Sequence, residues 1–201
     1  MLELKNISFR YGASQPRILD GINLDLKEGA MIGITGKSGK GKTTLARIAA
    51  GYLEPETGSV LLNGMPLPGK EYCPVQLVFQ HPETAMNPRW KIKKVLGEAG
   101  MGMPDEKLLL SLGIHPMWLE RYPHELSGGE LQRIAVARIL NPATRCIIAD
   151  EMTSMLDPIT QAQIWDTVIT FAKNRGSGII AISHDLDLLS TICGGTPPFE
   201  L

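Results

Sequence analysis

Cysteine is scarce in this chain and carries no pattern. Cys73, Cys146 and Cys193 stand far apart, without a CxxC or Cys/His spacing. Neither a disulfide framework nor a zinc site is indicated, and a reducing cytosol suits them. Long apolar runs are also missing: no stretch approaches the roughly 20 residues needed to cross a bilayer. The opening MLELKNISFRYG lacks the basic-then-apolar pattern of a secretory leader. Any membrane role is therefore expected to run through a partner. Charge of either sign is not in excess, the formal net charge being -1 at pH 7. That balance gives no global attraction toward nucleic acid or an anionic surface and argues against a nucleic-acid partner. Internal repeats and low-complexity segments are not evident. What is present is 201 residues with 43% hydrophobic content, enough for one globular domain over residues 1–201 but cramped for two.

Hydrophobic periodicity reads as strands alternating with helices. Leu2–Phe9, and the stretch in which Ile22, Leu24 and Leu26 alternate before Glu28-Gly29, are expected to be half-buried antiparallel strands. Ala30–Thr35 is a nearly continuous apolar run before a glycine-rich turn. Thr43–Ala50 follows with helix formers and stops at Gly51, so a buried strand feeds a helix. Ser59–Leu62, ending at Asn63-Gly64, and Val75–Phe79 are further strands. From His81 to about Tyr122 the chain becomes Pro-punctuated and rich in Met, Leu and Lys, which predicts an inserted helical subdomain over 81–125. Cys146–Ala149 and Ile179–Ser183 read as buried parallel strands flanking a helix over Ile159–Lys173, whose Ile164, Val168 and Phe171 form a core-facing stripe.

Three segments carry chemistry, in order: GKSGKGKT at Gly36–Thr43, LSGGE at Leu126–Glu130 and CIIADE at Cys146–Glu151. Gly36, Gly41, Lys42 and Thr43 satisfy GxxxxGK[ST]. Glycines there let backbone N–H groups turn inward around phosphate, and the helix N-terminus adds partial positive charge. The candidate ATP contacts are Gly36, Lys37, Ser38, Gly39, Lys40, Gly41, Lys42, Thr43 and Thr44. Lys42 reaches the β- and γ-phosphates, and the side chains of Lys37 and Lys40 point to phosphate or to solvent. The Thr43 hydroxyl suits Mg²⁺, a hard ion that takes oxygen ligands. Asp150 falls at the C-terminal end of a buried strand, where ligands of an open α/β sheet gather. Glu151 adds a second carboxylate. An Asp-Glu pair of this kind can position the metal and polarise an attacking water. Ser127 and Glu130, three apart at a helix start, also form a capping box.

With LSGGE, the set resembles the ATP-binding cassette (ABC) ATPases, and the resemblance covers essentially the whole chain. It implies an α/β P-loop core with an N-terminal antiparallel β subdomain and an inserted helical subdomain. It implies that Tyr11 stacks on adenine and that Gln80 is the Q-loop glutamine, near both metal and attacking water. Asp150 is then a metal residue, Glu151 the base, Ser154-Met155-Leu156-Asp157 the D-loop and His184 the switch histidine. In that family two cassettes sandwich two ATP molecules head to tail. Ser127, Gly128, Gly129 and Glu130 of one protomer then face the nucleotide held by the other.

VFQHPETAMNPRW at Val78–Trp90 and RYPHELSGGELQRIAVAR at Arg121–Arg138 resemble, more narrowly, the ATPase subunits of oligopeptide, dipeptide and nickel importers. That resemblance implies uptake of peptide, nickel or metal-chelate through integral membrane permease subunits. The cargo arrives on an extracellular solute-binding protein, and the ATPase sits peripherally on the cytoplasmic face with a second ATPase subunit, identical or not. The insert between Gln80 and Leu126 looks shortened, Glu151-Met152-Thr153 and Ser154-Met155-Leu156 replace the family's EPT and SAL, and Cys193–Pro198 is expected to fray or re-route. Two other roles fit the same motifs: a soluble ABC ATPase without a permease, and an ATP-dependent dimerising switch.

Overall fold

The strands sort into two sheets, and the central strands of one of them are apolar on both faces. In the computed structural model, which describes residues 1–69, 72–98 and 102–201, the strands in chain order are β1 (Leu2–Phe9), β2 (Leu19–Leu26), β3 (Met31–Thr35), β4 (Thr57–Leu62), β5 (Met65–Pro66), β6 (Val75–Val78), β7 (Cys146–Asp150), β8 (Gly178–Ile182) and β9 (Phe199–Glu200). One sheet is antiparallel and ordered β2-β1-β4-β5; the other is ordered β6-β7-β8-β3-β9, parallel at each pairing. Helices α1 (Lys42–Ala49), α2 (Ile92–Leu96), α3 (Glu106–Ser111), α4 (Gly128–Ile139), α5 (Pro158–Arg175) and α6 (Leu186–Ile192) connect and cover them.

The parallel strands are apolar on both faces because each face meets a different core. Ile147 and Ala149 of β7, with Ile179 and Ala181 of β8, pack against α4 and α5. Cys146, Ile148, Ile180 and Ile182 point the other way, into a core shared with α1 and the antiparallel sheet. Each fully buried Ile side chain contributes about 2 kcal/mol by removing apolar surface from water. Such a strand must therefore be covered on both sides.

Local chemistry sets the ends of α5. The Asp157 carboxylate accepts from Ile159 N and Thr160 N at 3.1 and 3.0 Å, Pro158 takes the first turn and Gly176 closes the helix at φ +67°. Ile164 and Val168 are fully buried and Phe171 packs partly against the same core. Ile159, at 83% exposed, lies off that stripe.

Two features depart from simple periodicity. In β1, Asn6 takes φ +53° and the register against β2 slips between Leu4 and Ile7. The slip shifts the apolar alternation by one so that Leu2, Leu4, Ile7 and Phe9 all face the core. The segment Cys193–Pro198 is not frayed. Cys193 is buried, Gly195 N donates to Ser190 O at 2.9 Å, and the chain returns as β9 alongside β3, with Leu201 N donating to Thr35 O at 3.0 Å. Between β6 and β7 lie α2, α3, α4 and short 3₁₀ turns; within the expected insert, residues 99–101 lie outside those described.

Candidate functional site

Between β3 and α1 the backbone turns on glycines that no side chain could replace without strain. Gly36, Gly39 and Gly41 have φ of +144°, +82° and +96°, a region other residues enter at a cost. A Cβ on Gly41 would also meet Ile18 Cγ2 at 2.7 Å. Gly41 caps α1 without any side-chain hydrogen bond, which leaves the first-turn N–H groups unpaired and open to an anion. Lys42 is buried (6% exposed), and its Nζ donates to Gly36 O and Lys37 O at 2.7 and 3.2 Å. The ammonium is thus held inside the loop. Lys37, Ser38, Gly39 and Lys40 are exposed.

Two carboxylates lie at the tip of β7, in different surroundings. Asp150 is 3% exposed. Burial pushes its carboxyl above the ordinary range; the Thr43 hydroxyl opposes this, the Glu151 charge adds to it, and Arg47 and Lys42 pull it back. A raised folded-state pKa means that the folded chain binds more protons than the unfolded one between the two values. Stability from this group is therefore present below its unfolded pKa and lost as pH rises through the folded value. Asp150→Asn is expected to raise the Tm of the nucleotide-free protein at pH 7, the gap closing as pH falls through that window. Thermal melts from pH 4 to 8 check this, and an unchanged or lower Tm at pH 7 would contradict it.

Glu151 stands differently. Its Oε2 accepts from Gln80 Nε2 at 2.8 Å, and its Oε1 lies 3.0 Å from His184 Nε2. Gln80 comes from the end of β6, and His184 from the turn after β8, which the fold sets side by side. Lys42, Thr43, Thr44, Ser38, Gly39, Gly41, Gln80, Glu151 and His184, with Tyr11 and Ile18, line one cleft of about 500 Å³. Tyr11 is the outer wall, its hydroxyl 3.1 Å from Thr44 Oγ1 and its ring edge-on to Phe9 at 5.0 Å. Ile18 belongs to no motif. It packs beneath Gly41, and no local pattern could have singled it out.

The LSGGE segment lies elsewhere. Ser127 and Glu130 form the reciprocal cap, with Ser127 N donating to Glu130 Oε2 at 2.7 Å and Glu130 N to Ser127 Oγ at 3.3 Å. Ser127 and Gly128 are exposed. Gly128 and Gly129 line a separate cavity with Gln80, Glu151 and Ser154, so the structure does not bring Ser127 or Glu130 into the cleft beside Lys42. The side chains of Lys37 and Lys40 do not line it either. The Thr43 hydroxyl and the Gln80 amide line it, while Asp150 does not and lies buried behind Thr43; their oxygens are of the kind a hard divalent cation takes.

A glycine-turned loop opening a helix beside a parallel sheet defines a P-loop nucleotide-binding fold. Residues 19–154 match the family model described as "ABC transporter". The chain is 37% identical over 181 residues, 85% of its length, to "Probable D,D-dipeptide transport ATP-binding protein" of Escherichia coli. It is 33% identical, over 88% of its length, to "Nickel import ATP-binding protein" of Rhodospirillum rubrum. It spans 57% of the first relative and 70% of the second. A dimeric ATP-binding cassette solved in a post-hydrolysis state with ADP and Pi superimposes with a TM-score of 0.80 at 25% identity, covering 94% of this chain and 90% of that one. The chain belongs to the ABC transporter family.

Proposed function

We propose that this protein is the ATP-hydrolysing subunit of an ABC importer for peptide, nickel or metal-chelate. The observation that supports it most is the convergence of Lys42, Thr43, Gln80, Glu151 and His184, from separate stretches of sequence, on one cleft of about 500 Å³. Lys42 exchanges its two backbone carbonyls for phosphate oxygens, and the free N–H groups of α1 take the remaining charge. Tyr11 offers its ring to the base. Thr43, Asp150 and Gln80 would hold Mg²⁺, which when bound supplies charge compensation to the phosphates. Glu151 accepts a proton from the attacking water, while Gln80 holds one of its oxygens by a hydrogen bond and His184 stands beside the other. None of the described helices is long and apolar enough to cross a membrane. By likeness to importer ATP-binding subunits, the proposed place is peripheral, on the cytoplasmic face, with residues 81–125 as an inserted helical subdomain that grips the permease. A solute-binding protein completes the system.

One side of the γ-phosphate stays open in a single copy, because Ser127, Gly128 and Gly129 do not line the P-loop cleft. Hydrolysis thus needs a second ATPase subunit to contribute them. The specific ATPase rate is expected to rise with protein concentration, and Ser127→Arg should suppress hydrolysis while ATP still binds the monomer. A high rate independent of concentration in a demonstrably monomeric sample would rule out the paired site. Copurification with an integral membrane partner tests the transport role against a free-standing ATPase.

A further inference from the structure

The turn after Glu151 is fastened from behind by α5, an element with no part in the chemistry above. Glu151 has φ +48°, a left-handed conformation that is unfavourable for a non-glycine residue, so surrounding contacts must hold it. On one side the hold is β8, through Glu151 N donating to Ile182 O at 3.0 Å. Beyond the turn it is Thr153. This residue is 2% exposed, and its Oγ1 accepts from Trp165 Nε1 at 3.1 Å and from Gln161 Nε2 at 3.0 Å. Trp165 is 5% exposed, so its indole N–H has little access to water and takes the threonine hydroxyl as its partner. Ser154 N and Oγ both donate to Glu151 O, at 3.2 and 3.1 Å, and Leu156 N donates to Thr153 O at 3.1 Å. These bonds couple the position of Thr153 to that of Glu151. A cavity of about 220 Å³ lined by Glu151, His184, Thr153 and Trp165 gives the turn room to relax if that tie is cut.

We infer that Trp165 and Thr153 form a latch that positions the Glu151 carboxylate. Both are positioning residues, acting through the turn rather than on nucleotide or water. The latch rests on Glu151 being the base, as proposed above, and it adds an interaction between α5 and the reacting carboxylate. Because Gln80 holds one carboxylate oxygen while Thr153 anchors the main chain, a loosened turn should misplace the carboxylate without altering the P-loop. The loss should fall on kcat and spare nucleotide affinity.

The test uses the full chain with ATP and Mg²⁺. Trp165→Phe removes the N–H and keeps most of the ring; Thr153→Val removes the hydroxyl and keeps the shape; Thr153→Ser keeps the hydroxyl. In the first two, kcat is expected to fall about 5- to 10-fold with KM within about 2-fold. Thr153→Ser should stay near the parent. The double variant W165F/T153V should be no worse than Thr153→Val alone, since that substitution already cuts the tie Trp165→Phe removes. A merely structural role would lower Tm and leave kcat at 25 °C unchanged. If kcat stays within about 2-fold of the parent in both singles, the latch is overturned. Should Thr153→Val fail to fold, Trp165→Phe and Gln161→Leu, the latter on a half-buried residue, decide by the same criterion. Glu151→Gln is measured alongside. If it retains the parent rate, or if the parent hydrolyses no ATP at any concentration, the assignment of the base fails and the latch with it. If it loses activity while the latch variants do not, only the latch fails.

Discussion

Glu151→Gln is expected to bind ATP with near-native affinity and to hydrolyse it 10²- to 10⁴-fold more slowly, roughly the contribution of a positioned general base. An amide has the size and planarity of the carboxylate, so the turn held by Ile182 O and Thr153 keeps its shape and the side-chain oxygen can still accept from Gln80. What disappears is the capacity to take a proton. ATP should therefore persist, and the paired state that ATP stabilises should accumulate instead of turning over. Single-turnover phosphate release measures the first effect; the elution position of the protein with and without Mg-ATP measures the second. Hydrolysis at the parent rate would remove Glu151 from the mechanism.

Lys42→Ala should weaken ATP binding by at least about 100-fold, or ~3 kcal/mol, the scale of charge-assisted hydrogen bonds to a phosphate. Two losses combine. A buried ammonium that would face the phosphates is gone, and so are its bonds to Gly36 O and Lys37 O, which brace the loop from inside. The unpaired N–H groups of α1 remain and give residual anion affinity, so phosphate binding weakens without vanishing. Titration with a fluorescent ATP analogue checks it. Unchanged affinity would mean that nucleotide does not bind in this cleft.

Much of the site was legible because its interactions are short-range in sequence. A GxxxxGK[ST] loop needs only glycines at set spacing and the helix that follows, and both are written within Gly36–Ala49. The Ser127/Glu130 cap is an i, i+3 contact that a helix start enforces wherever it forms. The central strands announced themselves through apolar runs such as Cys146–Ala149, since a strand covered on both faces cannot alternate. The start of α5 likewise follows from an Asp157-Pro158 pair that caps its own helix.

The tertiary structure decided the contacts that no local rule encodes. That Gln80 reaches Glu151, 71 positions away, depends on β6 and β7 lying side by side, and His184 joins them only because β8 is the next strand across. Ile18 entered the cleft through its packing under Gly41, and Asn6 broke the period of β1 because the core required both halves of that strand to face inward. The return of β9 to the edge of β3 and the bond from Trp165 to Thr153 are of the same kind. The sequence determined the nucleotide-binding chemistry through neighbours along the chain, whose geometry is set by the backbone's own periodicity. Packing determined which distant side chains hold that chemistry in place, because it alone sets which helices and strands come within hydrogen-bonding distance.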